Sequence, residues 1–380
     1  MQRKVTSRKP ARLKIGVLYG GRSGEHDVSL CSAASVVAAL DKTKYDIVAI
    51  GIDRDGRWYV QPKPEIVTDK SFGKILKLAK QGRWFVNHFE EQNRLCIRDL
   101  DHAGREVSVD LVFPVLHGTY GEDGTLQGLL ELARVPYVGV DVAGAAVGMD
   151  KDIAKRLLAQ AGICVVPWIT VGKTQWRAQS AKILKEAMVR LGLPLFVKPL
   201  CTGSSVGVVK VKHRKDLAAA VEYAFSFDTR VMIEKGIDCR EIECAVLGND
   251  CPEASVLGEI LPNHDFYSYE AKYLDPQGAA MNIPAKIPAR LAAAMRKCAV
   301  AGYAALNCNA MGRVDFFLEK KTNNYYLNEI NTLPGFTSVS MYPKLWEATG
   351  LPYRKLLDRL IDLALERHDR KMAIQTDVTG

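Results

Sequence analysis

The stretch Arg313-Val314-Asp315, followed fourteen residues later by Glu329-Ile330-Asn331 and then by Thr332-Leu333-Pro334-Gly335, reads as two adjacent short strands, 313–318 and 325–330, joined by a polar turn at 320–324. Successive side chains alternate faces in a strand, so Arg313 shares a face with Asp315, and Glu329 shares one with Asn331. One guanidinium, two carboxylates and an amide oxygen then meet on neighbouring strands. Hard oxygen donors of this kind hold Mg²⁺ when substrate phosphates complete its shell, so the pattern suits a magnesium-nucleotide site. The alternative is a surface hairpin with solvated charges.

Outward from this stretch, 380 residues exceed what one core usually organises, and two or three subdomains are expected. A 48% hydrophobic and 25% charged composition is that of a globular protein, and no apolar run approaches the roughly 18 residues that span a bilayer. The first fourteen residues are rich in Lys and Arg without an apolar signal core, and read as a flexible leader. Nine cysteines occur without a C-x-x-C pair or zinc spacing, which points to reduced thiols of a cytoplasmic protein. The net charge of +9 comes with no arginine-rich helix or aromatic-basic interleaving, so no nucleic-acid partner is expected. Local sites for phosphates and carboxylates account for it equally well.

The apolar run 13–19 ending in Gly20-Gly21, a helix near 29–40, and strands at 45–52 and 110–115 alternate as in a parallel α/β unit. Ligands of such units sit beyond the carboxyl ends of the strands, where Gly20-Gly21 and His117-Gly118 fall. Beyond Asp150 the pattern changes: helices at 150–161 and 180–191, a strand at 164–171, and a hairpin-like pair 195–199 and 206–211 around the loop 201–207. Strands at 241–247 and 255–260 and helices at 288–305 and 353–368 follow. Neither G-x-G-x-x-G nor G-x-x-x-x-G-K-[ST] occurs, which removes Rossmann and Walker sites. Lys198 instead stands at a strand end before a Gly-Ser-Ser loop whose N–H groups and hydroxyls can close over phosphates, although such a turn is more often only a turn.

Six motifs in order carry a resemblance: Gly20-Gly21-x-Ser23-x-Glu25-x-x-Val28-Ser29, His117-Gly118-x-x-Gly121-Glu122-Asp123-Gly124, Met149-Asp150-Lys151, Lys198-Pro199 with Gly203-Ser204-Ser205-Val206-Gly207, Tyr269-Glu270-Ala271-Lys272-Tyr273, and Asn328 to Thr337. Together they make the chain, from about Leu13 to His368, similar to the D-alanine:D-alanine ligases of the ATP-grasp superfamily. The resemblance implies an α/β fold with α+β character in its C-terminal part. Its three domains would lie at 14–140 (parallel α/β), 141–238 and 239–380 (the two ATP-grasp domains), with an omega-type loop near 263–283 and a basic leader at 1–13. It implies a cytoplasmic, bacterial, homodimeric enzyme that joins two D-alanines for peptidoglycan through an acyl phosphate, using ATP and two Mg²⁺ (or Mn²⁺). A D-alanine:D-lactate ligase or another ATP-grasp carboxylate–amine ligase is the alternative.

By the same resemblance Asp315, Glu329 and Asn331 match the metal ligands. Lys151, Lys198 and Lys272 match the phosphate lysines, with Ser205 in the phosphate loop. Glu234, Lys235 and Ile237 match the adenine contacts and Glu241 the ribose acid, although Glu234 and Glu241 alone read as ordinary surface charge. Glu25 matches the carboxylate for the first D-alanine's ammonium, with Val28 near its methyl group. Arg313 and the N–H of Gly335 match the oxyanion hole, and Ser340 and Met341 the grip on the second D-alanine's carboxylate. His117 matches an active-site histidine on the substrate-binding side, although a lone histidine reads equally as structural or catalytic. Tyr273 matches the lid tyrosine that bonds Ser204, which in turn bonds Glu25. His264 reads as structural, and Ser268, Leu200, Cys201 and Thr202 depart from the common pattern.

Lactate-forming relatives resemble this sequence but carry phenylalanine or a histidine-bearing loop at the lid. Tyr273 therefore argues for the dipeptide. Tyr273→Phe is expected to raise the lactate-to-alanine product ratio at neutral pH, measured with both acceptors in competition. An unchanged ratio would argue against the lid as discriminator.

Overall fold

The structure is a computed structural model and describes residues 12–87, 93–262, 279–337 and 339–375. The run Leu13–Gly20 is buried on both faces and pairs in parallel with Tyr45–Ile52 on one side and Leu111–Val115 on the other. Trp58–Gln61 adds an antiparallel edge, completing a four-stranded sheet. Continuous apolar runs of this kind are what a sheet covered on both faces requires. Helix His26–Ala39 packs on one side of it and begins three residues before the expected start. Between residues 66 and 109 lie five short strands in two small antiparallel sheets, which were not expected.

Two further sheets are antiparallel. The first has the order Trp168–Gly172, Arg230–Lys235, Leu195–Pro199, Val209–Val211, and its core is its own, built with helices Lys173–Arg190 and Leu217–Ala224. The expected strand at 164–171 is present only from Trp168 onward. Proline at 167 cannot donate to a ladder, and the strand starts after it. The second is five-stranded, in the order Ala279–Asn282, Glu253–Pro262, Cys239–Leu247, Met311–Glu319, Tyr325–Asn331. Apart from Leu13, each of the expected ranges 14–140, 141–238 and 239–380 contains one of these larger sheets.

The cores do not follow those ranges. Ile15, Val17, Tyr19 and Phe113 of the first sheet share one cluster with Leu333, Phe336, Tyr342, Trp346 and the apolar stripe of helix Tyr353–Met372. Phe336 sits edge-on to Phe113, with ring centroids 6.0 Å apart. Leu158 and Ile163 join the core of the five-stranded sheet with Tyr303, Val314 and Leu327. The segment following Asn331 is therefore packed into the first sheet's core. All nine cysteines are free; Cys31, Cys96, Cys244 and Cys308 are buried, whereas Cys164 and Cys251 are exposed.

Gly20 ends the first strand with φ at +91°, and an added Cβ would lie 2.2 Å from the carbonyl oxygen of Ile52. That carbonyl already accepts the N–H of Gly21 at 2.7 Å and cannot retreat freely. Gly20→Ala is expected to cost roughly 3 kcal/mol or more. Gly128→Ala, in open space on helix Thr125–Leu132, should gain up to about 1 kcal/mol. Thermal midpoints moving in opposite directions would check both.

Candidate active site

Strands Met311–Glu319 and Tyr325–Asn331 pair with Arg313 opposite Asn331 and Asp315 opposite Glu329. Val314, Phe316, Leu327 and Ile330 point into the core, so these four polar side chains are turned toward the cleft. Arg313 grips Asp315 through two bonds, Nε to Oδ1 at 2.8 Å and Nη2 to Oδ2 at 2.7 Å. It also lies 3.0 Å from Glu243. Asn331 donates Nδ2 to Asp315 at 2.9 Å, which leaves its amide oxygen on the opposite side of the amide.

The cleft has a volume of about 190 Å³, and its walls come from the second and third of the larger sheets and from the helix and loop residues Glu25, Val28, His117 and Glu122 that follow strands of the first. Helix Lys151–Gln160 contributes Lys151 at its first position, a place where N–H groups and the helix dipole favour anions. Asp150 caps the helix by accepting from the N–H groups of Asp152 and Ile153, and this fixes where Lys151 emerges. The Lys151 ammonium donates to the Thr202 carbonyl at 2.7 Å and stands 3.9 Å from Glu329. Lys198, at the end of Leu195–Pro199, lines the same cleft. Ser204 and Ser205 of the intervening loop both have positive φ, a strained conformation for serine. Ser204 donates its hydroxyl to Glu25, joining the loop to the first sheet's end.

His117 and Glu122 hold the two peptide groups that flank Leu333 between them. His117 Nδ1 faces the Leu333 carbonyl at 3.1 Å, and Glu122 accepts the Leu333 N–H at 3.0 Å. A carbonyl can only accept, so Nδ1 carries the proton and Nε2 accepts from Ser32 at 3.0 Å. Burial pushes the histidine below its ordinary value, in keeping with that neutral tautomer. Glu122 also accepts the Gly118 N–H at 2.7 Å. Its burial, and next the charge of Glu25, push it up to about 8 against the pull of the two N–H donors.

Of the residues expected here, Glu25, Val28, His117, Lys151, Lys198, Ser204, Ser205, Glu241, Arg313, Asp315, Glu329, Asn331 and Gly335 line this one cleft. An added Cβ on Gly335 would come 2.7 Å from the Ser340 hydroxyl, so glycine permits the close approach of that turn. Ser340 itself accepts the Thr337 N–H at 3.0 Å, and Met341 is buried at the start of helix Met341–Thr349. Lys235 is exposed and Ile237 half-buried at the end of Arg230–Lys235. Lys272 and Tyr273, with His264 and Ser268, lie outside the described residues.

Glu234 is no surface charge. It is 1% exposed and lies 2.5 Å from both Lys155 and Lys198. Burial opposes its ionisation, but the two lysines outweigh it and lower its carboxyl to about 2. Removing one partner from such a group typically costs about 3–5 kcal/mol, because a buried charge is left uncompensated. Lys155, Glu122, Glu243 and Ser32 are the residues that sequence reasoning missed. Lys155 follows Lys151 by one helical turn, and Glu122 stands inside the His117–Gly124 motif, so both had a signal.

Two family models match the chain, D-ala D-ala ligase N-terminus over residues 14–140 and D-ala D-ala ligase C-terminus over residues 157–362. The chain belongs to the D-alanine–D-alanine ligase family. It is 47% identical over 366 residues to D-alanine–D-alanine ligase A of Salmonella typhimurium, covering 96% of this chain and 99% of that one. It is 46% identical over 369 residues to D-alanine–D-alanine ligase of Shouchella clausii, covering 97% and 99%. Among solved structures, the D-alanine-D-alanine ligase from Coxiella burnetii superposes with a TM-score of 0.76 at 37% identity, over 95% of this chain and 96% of that one. The VanG D-Ala:D-Ser ligase from Enterococcus faecalis gives 0.77 at 36%, over 93% and 100%. This ligase family's α/β, ATP-grasp architecture is thus the fold of the present chain.

The resemblance to this ligase family calls for a divalent metal in the cleft. Among the described residues no group of three or more His, Cys, Asp or Glu side chains could enclose an ion alone. Asp315, Glu329 and Asn331 are nevertheless an all-oxygen set beside two lysines on the same cleft. That fits Mg²⁺, which takes one or two carboxylates and completes its shell with phosphates and water.

Glu122 makes stability depend on pH. The unfolded chain ionises this residue near its ordinary value of 4.5, whereas the folded chain keeps the proton up to about 8. Its contribution is therefore fully present below about pH 4.5 and is lost as pH rises through about 8. Glu122→Gln removes that titration, so thermal midpoints measured from pH 5 to 8.5 should fall less steeply in the variant. Parallel slopes would assign the effect to other groups.

Proposed function

We propose that the chain ligates two D-alanines to D-alanyl-D-alanine, forming ADP and phosphate, as a step toward peptidoglycan. What carries the reading is the near full-length match to D-alanine–D-alanine ligases, on a cleft that joins Glu25, Ser204, Arg313 and Asp315. Glu25 holds the first D-alanine's ammonium, with Val28 beside its methyl group. The carboxylate so placed attacks the γ-phosphate of ATP, giving an acyl phosphate and ADP. The second D-alanine's amine then attacks the acyl carbon, and the oxygen charge that builds up meets Arg313 and the N–H of Gly335. Phosphate leaves as the tetrahedral intermediate collapses. Both steps place negative charge at defined oxygens, so the protein's contribution is positioning and electrostatic stabilisation.

Lys151, Lys198 and Lys272 take the phosphates, aided by Ser205, and Glu241 takes the ribose hydroxyls. Adenine lies by Lys235 and Ile237, near the backbone of Glu234, whose carboxylate is already engaged. Asp315, Glu329 and Asn331 would hold two Mg²⁺ (or Mn²⁺), whose charge would neutralise the phosphates. Ser340 and Met341 grip the second substrate's carboxylate. Tyr273 closes over Ser204 and Glu25, keeping water from the acyl phosphate. His117 orients the Leu333 turn. By their larger sheets the domains divide at 14–140, 141–238 and 239–380, with Leu158, Ile163 and the segment after Asn331 packing across those divisions, and the enzyme works as a cytoplasmic homodimer without nucleic acid. Among the described residues no helix is long and apolar enough to cross a membrane.

ADP release by the purified protein should require both D-alanine and a divalent cation, and Asp315→Asn should lower kcat about a hundredfold or more. With D-alanine, D-lactate and D-serine in competition, mass spectrometry should find D-alanyl-D-alanine as the main product. D-serine is included because the VanG relative is a D-Ala:D-Ser ligase. A dominant depsipeptide or serine product would reassign the second site.

A further inference from the structure

We infer that Lys155 is a positioning residue that acts through charge: it neutralises the buried carboxylate of Glu234, so that Lys198 keeps its positive charge for the nucleotide phosphates. Lys155 is 2% exposed, and its ammonium lies 2.5 Å from Glu234 Oε1 and 3.0 Å from the Val166 carbonyl. It rides over the Trp168 ring, 5.4 Å from the centroid. Lys198 occupies the other oxygen of Glu234, also at 2.5 Å, and faces the cleft. Lys155 is not one of the residues lining that cleft.

One carboxylate thus stands between two ammonium groups, which leaves one unit of positive charge in the cluster. With Lys155 absent, Glu234 and Lys198 would form a neutral pair, whose field at the phosphates is only that of a dipole. In a poorly screened interior the difference is large. A purely structural ion pair would need Glu234 and one lysine only. Burying a second ammonium costs desolvation that an apolar side chain on helix Lys151–Gln160 would avoid, so the second charge calls for a use. Both acceptors facing Lys155, a carboxylate and a carbonyl, suit its protonated form.

The inference rests on the reading of Lys198 as a phosphate lysine, and the experiment separates the two. Lys155→Met, Lys198→Met and the double variant Lys155→Met/Glu234→Gln are compared with the wild type, with ATP and D-alanine varied independently. Lys155→Met should raise KM for ATP about ten- to a hundredfold, the worth of one charge-assisted bond, and leave KM for D-alanine within about twofold. The double variant restores the cluster's single positive charge on Lys198 and should recover most of the ATP KM. If Lys155→Met does not fold, the double variant, which has no buried carboxylate to satisfy, is tested alone: an ATP KM near the wild type's is expected, and a tenfold rise overturns the inference. Unchanged ATP KM in Lys155→Met, with a raised one in Lys198→Met, overturns it while sparing the reading of Lys198. Loss of kcat and melting midpoint that the second substitution worsens assigns Lys155 a structural role and overturns it too. Unchanged ATP KM in Lys198→Met removes both readings.

Discussion

The register between Met311–Glu319 and Tyr325–Asn331 is the constraint on which the site depends. A slip of one residue would turn Arg313, Asp315, Glu329 and Asn331 into the core and expose Val314, Phe316 and Ile330, because side chains alternate with a period of two. Burial of those apolar residues therefore fixes the position of the polar ones. Leu327 and Ile330 are both buried although three positions apart, which a regular strand does not allow. An irregularity reconciles them: Asp315 pairs with Glu329, Phe316 with Leu327, and Asn328 is the extra residue. Such bulges recur beside active sites, where they re-aim side chains.

This explains how much was legible in advance. The alternation that joined Arg313 to Asp315, and Glu329 to Asn331, lies on one side of the bulge, so period-two reasoning placed them correctly. The parallel strands 13–20, 45–52 and 111–115 were legible because both faces are apolar. The five short strands between 66 and 109 were not: they are four or five residues each, and only Leu95–Asp99 is largely buried, so neither period nor apolar runs of useful length mark them. Lys155 and Glu122 had a local signal, one helical turn after Lys151 and inside the 117–124 motif, but what they do was not legible from it. Their roles come from partners distant in sequence, Glu234 and Leu333, and no local pattern encodes a contact of that kind. Glu234 shows the same limit, since an isolated acid reads as surface until two lysines are found against it.

The charges of the cleft are paired with one another. Arg313 holds Asp315, Lys198 holds Glu234, Lys151 stands near Glu329, and Ser204 holds Glu25. Each group is thereby kept in place at low dielectric without an uncompensated charge, which would be costly. The arrangement also couples the two ends of the site. Whatever cation Asp315 accepts must compete with Arg313, and a guanidinium released from Asp315 still has Glu243 at 3.0 Å to hold it at the cleft wall.

The turn after Asn331 shows why the first sheet's unit is indispensable to the chemistry of the third. Leu333 is buried, so its peptide N–H and carbonyl need partners. Both partners come from residues 117–122, and Ser32 accepts the N–H of Phe336 at 3.3 Å. The rings of Phe336 and Phe113 close the same junction with apolar area. The backbone carrying Gly335 is thus set by side chains from the other end of the chain, and the turn has its shape because it shares one core with the first sheet. Loosening that junction would displace the Gly335 N–H without touching a single group that contacts substrate.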